Sequence, residues 1–348
     1  MKRTKAVKLS GQIKRKVGKP ITHQPTFDGT TEAIISTGST LLDLAISGGR
    51  VRGGGIVGGI LVEIFGPESS GKSVLICEMA GAVQRQEGQV MFGDPEGRLD
   101  KQFAKIFGFD ADKTNYTRPD YIPEVFKAVR DWRPKPAGKI HGIFADSLAA
   151  LSTDLEMSNE EGDKYGGRRA KEFSQELRKT CRVLANKNYL MVCSNQIREN
   201  IGVTFGAKFD STGGRALRHY PSLRIRTSIH KKLVKEKTFK GTEIKRVVGV
   251  EIGAEIVKNS TWVPFRTAPL TILFDYGIDD IRQNLQYVKT HNRNSTYTIG
   301  GKSLSNKMED AIRLIEQDKL EQQLREEVIN CWEYIEDKFK SNRKTKIR

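Results

Sequence analysis

"ILVEIFGPESSGKSVLICEMAGAVQ", residues 60 to 84, decides how the rest of the chain is read. An apolar run ends at Phe65 and is followed by Gly66, Pro67, Glu68, Ser69, Ser70, Gly71, Lys72 and Ser73, the spacing G-x-x-x-x-G-K-[ST]. A loop of that spacing between a strand and a helix turns its backbone N–H groups toward phosphates at the helix N-terminus. The lysine neutralises the terminal phosphates, and the serine hydroxyl ligates Mg²⁺. The stretch therefore predicts a nucleotide site inside an α/β fold.

Three further apolar runs stand downstream: "QVMFGD" (89 to 94), "HGIFAD" (141 to 146) and "YLMVCS" (189 to 194). They alternate with helix-like stretches, which predicts buried parallel strands joined by crossover helices. Past residue 220 the pattern becomes an alternation. "SLRIRTSI" (222 to 229) and "VVGVEIGAEIV" (247 to 257) predict an antiparallel hairpin closing through Lys240-Gly241. From about 282 the chain turns polar and helical. "MEDAIRLIEQ" and "LREEVINCWEYIEDKF" place apolar residues three and four apart, as in a small C-terminal domain.

A phosphate site also needs a carboxylate for the metal, and a strand ending in Asp is the usual source. Asp146 ends the third run; taken alone it reads as well as a helix cap. "FGDPEGRLD" (92 to 100) offers Asp94, Glu96 and Asp100 as the base that orients an attacking water, and the sequence does not choose among them. "SNQIRENIGVTFGAKFDSTGG" (194 to 214) leaves the fourth run as a Gly-rich polar loop of about twenty residues, a length that is usually functional or disordered.

At 348 residues the chain has room for one sizeable core and a smaller domain. Its formal charge is +17, and residues 1–20 and 338–348, with eight and six Lys or Arg and no acid, supply 14 of that excess. Basic ends of this kind point to a polyanion, most often nucleic acid. Cys77, Cys181, Cys193 and Cys331 form no CxxC pair, which argues against a disulfide framework or zinc site. No apolar run reaches the roughly 18 residues of a membrane span, and the basic N-terminus lacks a signal's apolar core. A cytosolic protein with no membrane partner is expected.

Taken together, "ISTGSTLLDLAISGG", "VEIFGPESSGKS", "DPEGRLD", "ADSLAAL", "SQELRK", "SNQIRENIGVTFG", "STGGRALRHYPSLRIR" and "VKNSTWVPFR" occur in an order that resembles the RecA recombinases. The resemblance spans about residues 33 to 280, and the NQIR-to-TGG block is its most specific part. It implies a RecA-type phosphate-loop ATPase core with a mostly parallel sheet over 33–281. A basic N-terminal oligomerisation segment (1–32) would precede it, and a small α+β C-terminal domain with a basic tail (282–348) would follow. The implied activity is that of a DNA-dependent ATPase that forms helical filaments on single-stranded DNA and exchanges it with homologous duplex in recombination and repair. A motor of the same fold, a ring helicase or branch-migration ATPase, is the alternative.

The resemblance also carries residue roles. Gly66 to Ser73 would bind ATP, Ser73 and Asp146 would hold Mg²⁺, and Glu96 would prepare the water. Phe103 would stack on adenine, Gln196 would sense the γ-phosphate, and Lys258 would reach the neighbouring subunit's ATP. The loop after Gln196 would bind DNA through Arg198, Phe205, Lys208, Gly213, Gly214 and Arg215, with Gly202 and Gly206 allowing close approach. A second DNA loop, 157 to 173, would present Gly166, Gly167, Arg168 and Arg169 ahead of a helix. Several positions depart from the family pattern. Ser260 replaces the second cross-subunit cation, and His219 stands where an interface Phe is common. "VRGGGIVGG" (51 to 59) suggests a longer, looser loop. The end "KSNRKTKIR" is basic where cellular members tend to be acidic, which points to a phage or plasmid origin.

Overall fold

The computed structural model describes residues 33–153, 165–199, 209–211, 216–341 and 343. The chain runs through β1 (Ile34–Ile35), α1 (Thr40–Ser47), β2 (Ile56–Val57), β3 (Leu61–Gly66), α2 (Lys72–Arg85), β4 (Val90–Gly93), α3 (Lys101–Ile106), β5 (Thr114–Thr117) and α4 (Ile122–Asp131). It continues with β6 (Gly142–Ala145), α5 (Tyr165–Lys187), β7 (Leu190–Glu199), β8 (Phe209–Ser211), α6 (Ala216–His219), β9 (Leu223–Phe239), β10 (Thr242–Asn259), β11 (Thr267–Leu273) and β12 (Gly277–Ile278). The C-terminal part holds α7 (Asp280–His291), β13 (Tyr297–Ile299), β14 (Lys302–Ser305), α8 (Met308–Gln317) and α9 (Glu321–Lys338).

The four apolar runs become the buried strands β3, β4, β6 and β7. The main sheet has the order β12-β11-β10-β9-β3-β7-β6-β4-β5, with β8 added to β7. From β9 to β5 every pairing is parallel, and the β9-to-β12 edge is antiparallel. Side chains alternate between the faces, so Leu61 joins Phe126, Phe173 and Leu177 on one side while Val62 and Ile64 join Leu75 and Met79 on the other. Because β3 lies between β9 and β7 and not beside β4, the strand order reverses there. The carboxyl ends of such strands leave the crevice in which open α/β sheets bind ligands.

The hairpin closes where expected: Phe239 pairs with Thr242 across Lys240 and Gly241, whose φ values are 49° and 80°. Two left-handed residues match the twist of a two-residue hairpin. α7 and α9 bring Leu285, Val288, Leu324, Val328 and Trp332 into the same cluster as Leu41 and Leu44 of α1. The C-terminal segment thus shares the core of the sheet layer.

Three local expectations are corrected. Residues 51–59 are not a loose loop: Gly54 has φ +64°, and a Cβ there would stand 1.9 Å from the carbonyl oxygen of Asp43. Gly55 N donates to that same oxygen at 3.0 Å, so the glycines let the backbone pass tightly against α1 before β2 pairs with β1. The segment after Gln196 is also not all loop. β7 runs on to Glu199 and β8 returns along it, Ile197 opposite Ser211 and Glu199 opposite Phe209. Finally, Gly166 to Arg169 lie within the 23-residue α5 and not ahead of it. Two glycines cost a helix about 1 kcal/mol each, and the burial of Phe173, Leu177 and Leu184 outweighs that.

Candidate nucleotide site and its link to the DNA loops

α2 starts with Gly71 as its N-cap at φ 83°, with no side chain capping it. A Cβ on Gly71 would also approach Ile272 Cδ1 to 2.5 Å, so only glycine fits. The first amides of α2 are left to an outside acceptor, at the positive end of the helix. Ser70 Oγ donates to the Pro67 carbonyl at 2.7 Å and pairs with Thr227 Oγ1 at 2.7 Å, which ties the loop to β9. Lys72 Nζ donates to the carbonyls of Gly66 (3.0 Å) and Pro67 (2.6 Å). Burial pushes the Lys72 ammonium's pKa down, and Asp146, Glu68 and Glu96 pull it back up.

Asp146 follows β6 directly and accepts from Ser194 Oγ of β7. The three acids that the sequence left open are separated by their partners. Asp94 is 2% exposed and accepts from Leu99 N (2.8 Å) and the Tyr116 hydroxyl (2.9 Å). Asp100 caps α3 through Phe103 N at 2.7 Å. Glu96 accepts from Ser147 Oγ at 3.0 Å and pairs with Arg98 at 2.6 Å, and its side chain stays partly open beside the residue that follows Asp146.

A cleft of about 570 Å³ runs from Gly71, Lys72 and Ser73 to Phe103 and Phe274. Phe103 is 39% exposed and meets Phe107 edge-on, with centroids 4.5 Å apart; Phe274 is 50% exposed. Two open rings on one cleft suit a planar base. Phe274 was missed, since nothing in "LFDYG" marks it without the packing of β11.

The register of β3 on β7 sets Gln196 opposite Gly66, the first residue of the phosphate loop. Gln196 is exposed, and its backbone N donates to Asn195 Oδ1 at 2.9 Å. Asn195 Nδ2 donates to Glu63 Oε1 (2.9 Å), and Arg224 Nε donates to Glu63 Oε2 (2.5 Å). The Arg224 guanidinium also lies 4.5 Å from the centre of the Phe65 ring. A buried polar chain thus crosses β9, β3 and β7. Sequence reading missed it too, although a Glu inside "ILVEIF" and an Arg inside "LRIR" were signals.

Lys258 Nζ donates to the carbonyls of His219 (2.6 Å) and Arg218 (3.4 Å) at the end of α6, and burial lowers its pKa. Ser260 N donates to the Ser222 carbonyl at 2.7 Å. Arg168 is exposed. Arg169, expected to face DNA, donates to the carbonyls of Ala149 (2.5 Å) and Leu148 (3.3 Å) in the turn after Asp146. Arg198 lies in β7, but its side chain falls outside the described residues, as do Gly202, Phe205, Gly206, Lys208, Gly213, Gly214 and Arg215. So do residues 1–32 and the last five of the basic tail.

Residues 5–279 match the family model described as the RecA N-terminal domain. The chain belongs to the RecA family. It is 34% identical to Protein RecA of Streptomyces venezuelae over 329 residues, which cover 91% of this chain and 82% of that protein. Protein RecA of Thermus thermophilus is 37% identical over 248 residues, 71% of this chain and 69% of the relative. Protein RecA of Acinetobacter baylyi is 33% identical over 314 residues, 88% and 85% of the two chains. RecA-family proteins are DNA-dependent ATPases that act as recombinases in DNA recombination and repair, and this chain is one of them. Membership implies nucleotide binding, DNA binding and filament formation. The motor alternative is not favoured. Among the described residues no helix is long and apolar enough to cross a membrane.

Proposed function

We propose that this chain binds ATP and Mg²⁺ at the β3–α2 loop and assembles as a helical filament on single-stranded DNA. The filament then pairs that strand with homologous duplex. The uncapped start of α2 and Lys72 supply the positive field for the phosphates, and Ser73 and Asp146 supply the oxygens for the metal. Mg²⁺, when bound there, neutralises charge on the phosphate oxygens. Glu96, held by Ser147 and Arg98, takes a proton from the attacking water. Phe103 and Phe274 bracket the base.

The observation that carries the reading is the register of Gln196 beside Gly66. An amide at that point hydrogen-bonds a terminal phosphate and loses the bond on hydrolysis, and the chain that follows it reorders. That chain, with Arg198, Phe205, Lys208, Gly213, Gly214 and Arg215, is the proposed DNA contact, joined by Gly166, Gly167 and Arg168 at the head of α5. Arg169 ties α5 to the segment after Asp146. Lys258 reaches the adjacent protomer's nucleotide, with Ser260 contributing no second charge. Residues 1–32 serve oligomerisation, residues 282–348 form a small C-terminal unit with a basic tail, and the protein works in a bacterial cytosol, during phage infection if the basic tail marks its origin.

Negative-stain images of the protein with single-stranded DNA and a slowly hydrolysed ATP analogue test this. Helical filaments are expected for the parent and none for Lys72→Ala, whose loop has lost its close cation. Closed rings alone would contradict the filament.

A further inference from the structure

The nucleotide cleft has a wall that the phosphate-loop motif does not supply. Ile229 and Lys232 of β9 line it together with Val247 and Val250 of β10 and Ile272 and Phe274 of β11. Residues three apart on a regular strand face opposite sides of the sheet. Yet Ile229 and Lys232 share this wall, and so do Val247 and Val250. The pairing register accounts for both. Ile229 opposes Ile252 and Lys231 opposes Glu251, so His230 is an extra residue on β9. Val247 opposes Val234 and Gly249 opposes Leu233, so Val248 is an extra residue on β10. Each bulge shifts the alternation by one and returns a later side chain to the cleft. His230 is turned the other way, beside Ser228, whose Oγ lies 3.3 Å from His230 Nε2.

Bulges beside a binding site re-aim side chains, and the polar side chain re-aimed here is a cation. Lys232 opposes Val250, which in turn opposes Ile272, so the three form one row across the wall. Phe274 follows on the same face, and its N donates to the carbonyl of the bulged Val248 at 3.0 Å. Nearer the sheet, Thr227 marks the phosphate end of β9, since its hydroxyl pairs with Ser70 of the loop. At about 3.3 Å per paired residue, Lys232 stands roughly 13 Å beyond Thr227, comparable to the reach of a triphosphate and its sugar. That puts it on the Phe274 side of the cleft, away from Lys72. Among the described residues Lys232 makes no ion pair, and no carboxylate lines the cleft. An ammonium carries three donors and no acceptor. A molecule that fills the cleft therefore has to supply the acceptor that water otherwise gives.

We infer that Lys232 is a nucleotide-binding residue at the nucleoside end of the cleft, where its ammonium donates to an acceptor atom of the base or the ribose beside Phe274. Lys72 serves the phosphates and Lys232 fixes how the nucleoside lies against β9. The inference rests on the reading that ATP binds at the β3–α2 loop.

The test is calorimetric titration of the full-length protein, without DNA, with Mg²⁺ and a slowly hydrolysed ATP analogue. Lys232→Met keeps most of the stem and removes the donors. A hydrogen bond from a charged donor is worth about a factor of ten in affinity, so this variant binds the analogue about tenfold more weakly. Lys232→Arg, which keeps donors, restores most of the loss. Inorganic tripolyphosphate, with neither base nor sugar, binds the parent and Lys232→Met alike, which also shows that the variant's loop is folded. Lys231→Met, which opposes Glu251 and does not line the cleft, leaves affinity unchanged. Analogues that each lack one ring nitrogen or one ribose hydroxyl locate the acceptor: the parent loses the same factor with the analogue that lacks it, and Lys232→Met loses nothing further. Equal affinity of Lys232→Met and the parent for the ATP analogue, an equal loss for tripolyphosphate, an equal loss in Lys231→Met, or additive losses with every analogue each overturns the inference. Lys72→Ala is the reference for the site itself. A loss there with none in Lys232→Met sinks the inference alone, whereas parental affinity in Lys72→Ala refutes the β3–α2 reading and the inference with it.

Discussion

Replacing Glu63 with alanine removes the shared acceptor of a buried chain that joins three adjacent strands. Glu63 is 1% and the Arg224 side chain 12% exposed, so the change takes the Glu63 carboxylate from a guanidinium that has little water to replace it. Deleting one partner of a buried pair costs about 3–5 kcal/mol, and the lost Asn195–Glu63 hydrogen bond adds about 1 kcal/mol. The Phe65 ring beneath Arg224 recovers a fraction of that, which leaves about 4 kcal/mol, a large part of a domain's typical 5–15 kcal/mol. Glu63→Gln keeps the shape but only one acceptor, so its NH₂ group faces the donor of either Asn195 or Arg224 and much of the cost remains. Replacing Glu63 and Arg224 together by leucine and methionine restores most of the loss, because the pair's desolvation cost disappears with it. Urea denaturation of the two single variants and the double gives the coupling directly. A Glu63→Ala variant within 1 kcal/mol of the parent, or single losses that add to within about 0.5 kcal/mol, would refute the pair as a buried structural link.

Glu96→Ala is expected to keep ATP affinity and slow DNA-stimulated turnover by about 10² or more; unchanged steady-state hydrolysis would return the role to Asp94 or Asp100. Burial raises Glu78 from 4.5 to about 7, so the folded chain holds a proton there that the unfolded chain releases. That contribution, about 3 kcal/mol, is fully present below pH 4.5 and is lost as pH rises through 7. Glu78→Gln therefore raises Tm most above pH 8, and the gain vanishes near pH 4.5; a gain that does not vary with pH contradicts the assignment.

Much of this was legible because it is written locally. The phosphate loop depends on backbone shape within eight residues, and the four strands are continuous apolar runs. The hairpin turn needs only Lys240 and Gly241 at positive φ. What was hidden depends on partners far away in sequence. Glu63 and Arg224 meet only because β3 lies beside β9, and Phe274 joins Phe103 only once β11 packs at the cleft. Asp94, Glu96 and Asp100 look alike in a string and differ only in who donates to them. The extension of β7 was missed because "QIRE" lacks an apolar pattern and is held by β8, ten or more residues away. The glycines at 53–55 read as slack because their closeness to α1 has no sequence signature.

The central claim is that nucleotide state reaches the DNA-binding segment through Gln196. Single-strand DNA affinity is measured with the slowly hydrolysed ATP analogue and with ADP, for the parent and for Gln196→Ala. The parent is expected to bind much more tightly with the analogue. The variant is expected to keep its ATP affinity in the absence of DNA, bind DNA equally under both nucleotides, and show the reciprocal loss of DNA's effect on ATP affinity that linkage requires. A variant that retains the parent's ratio of the two affinities contradicts the claim.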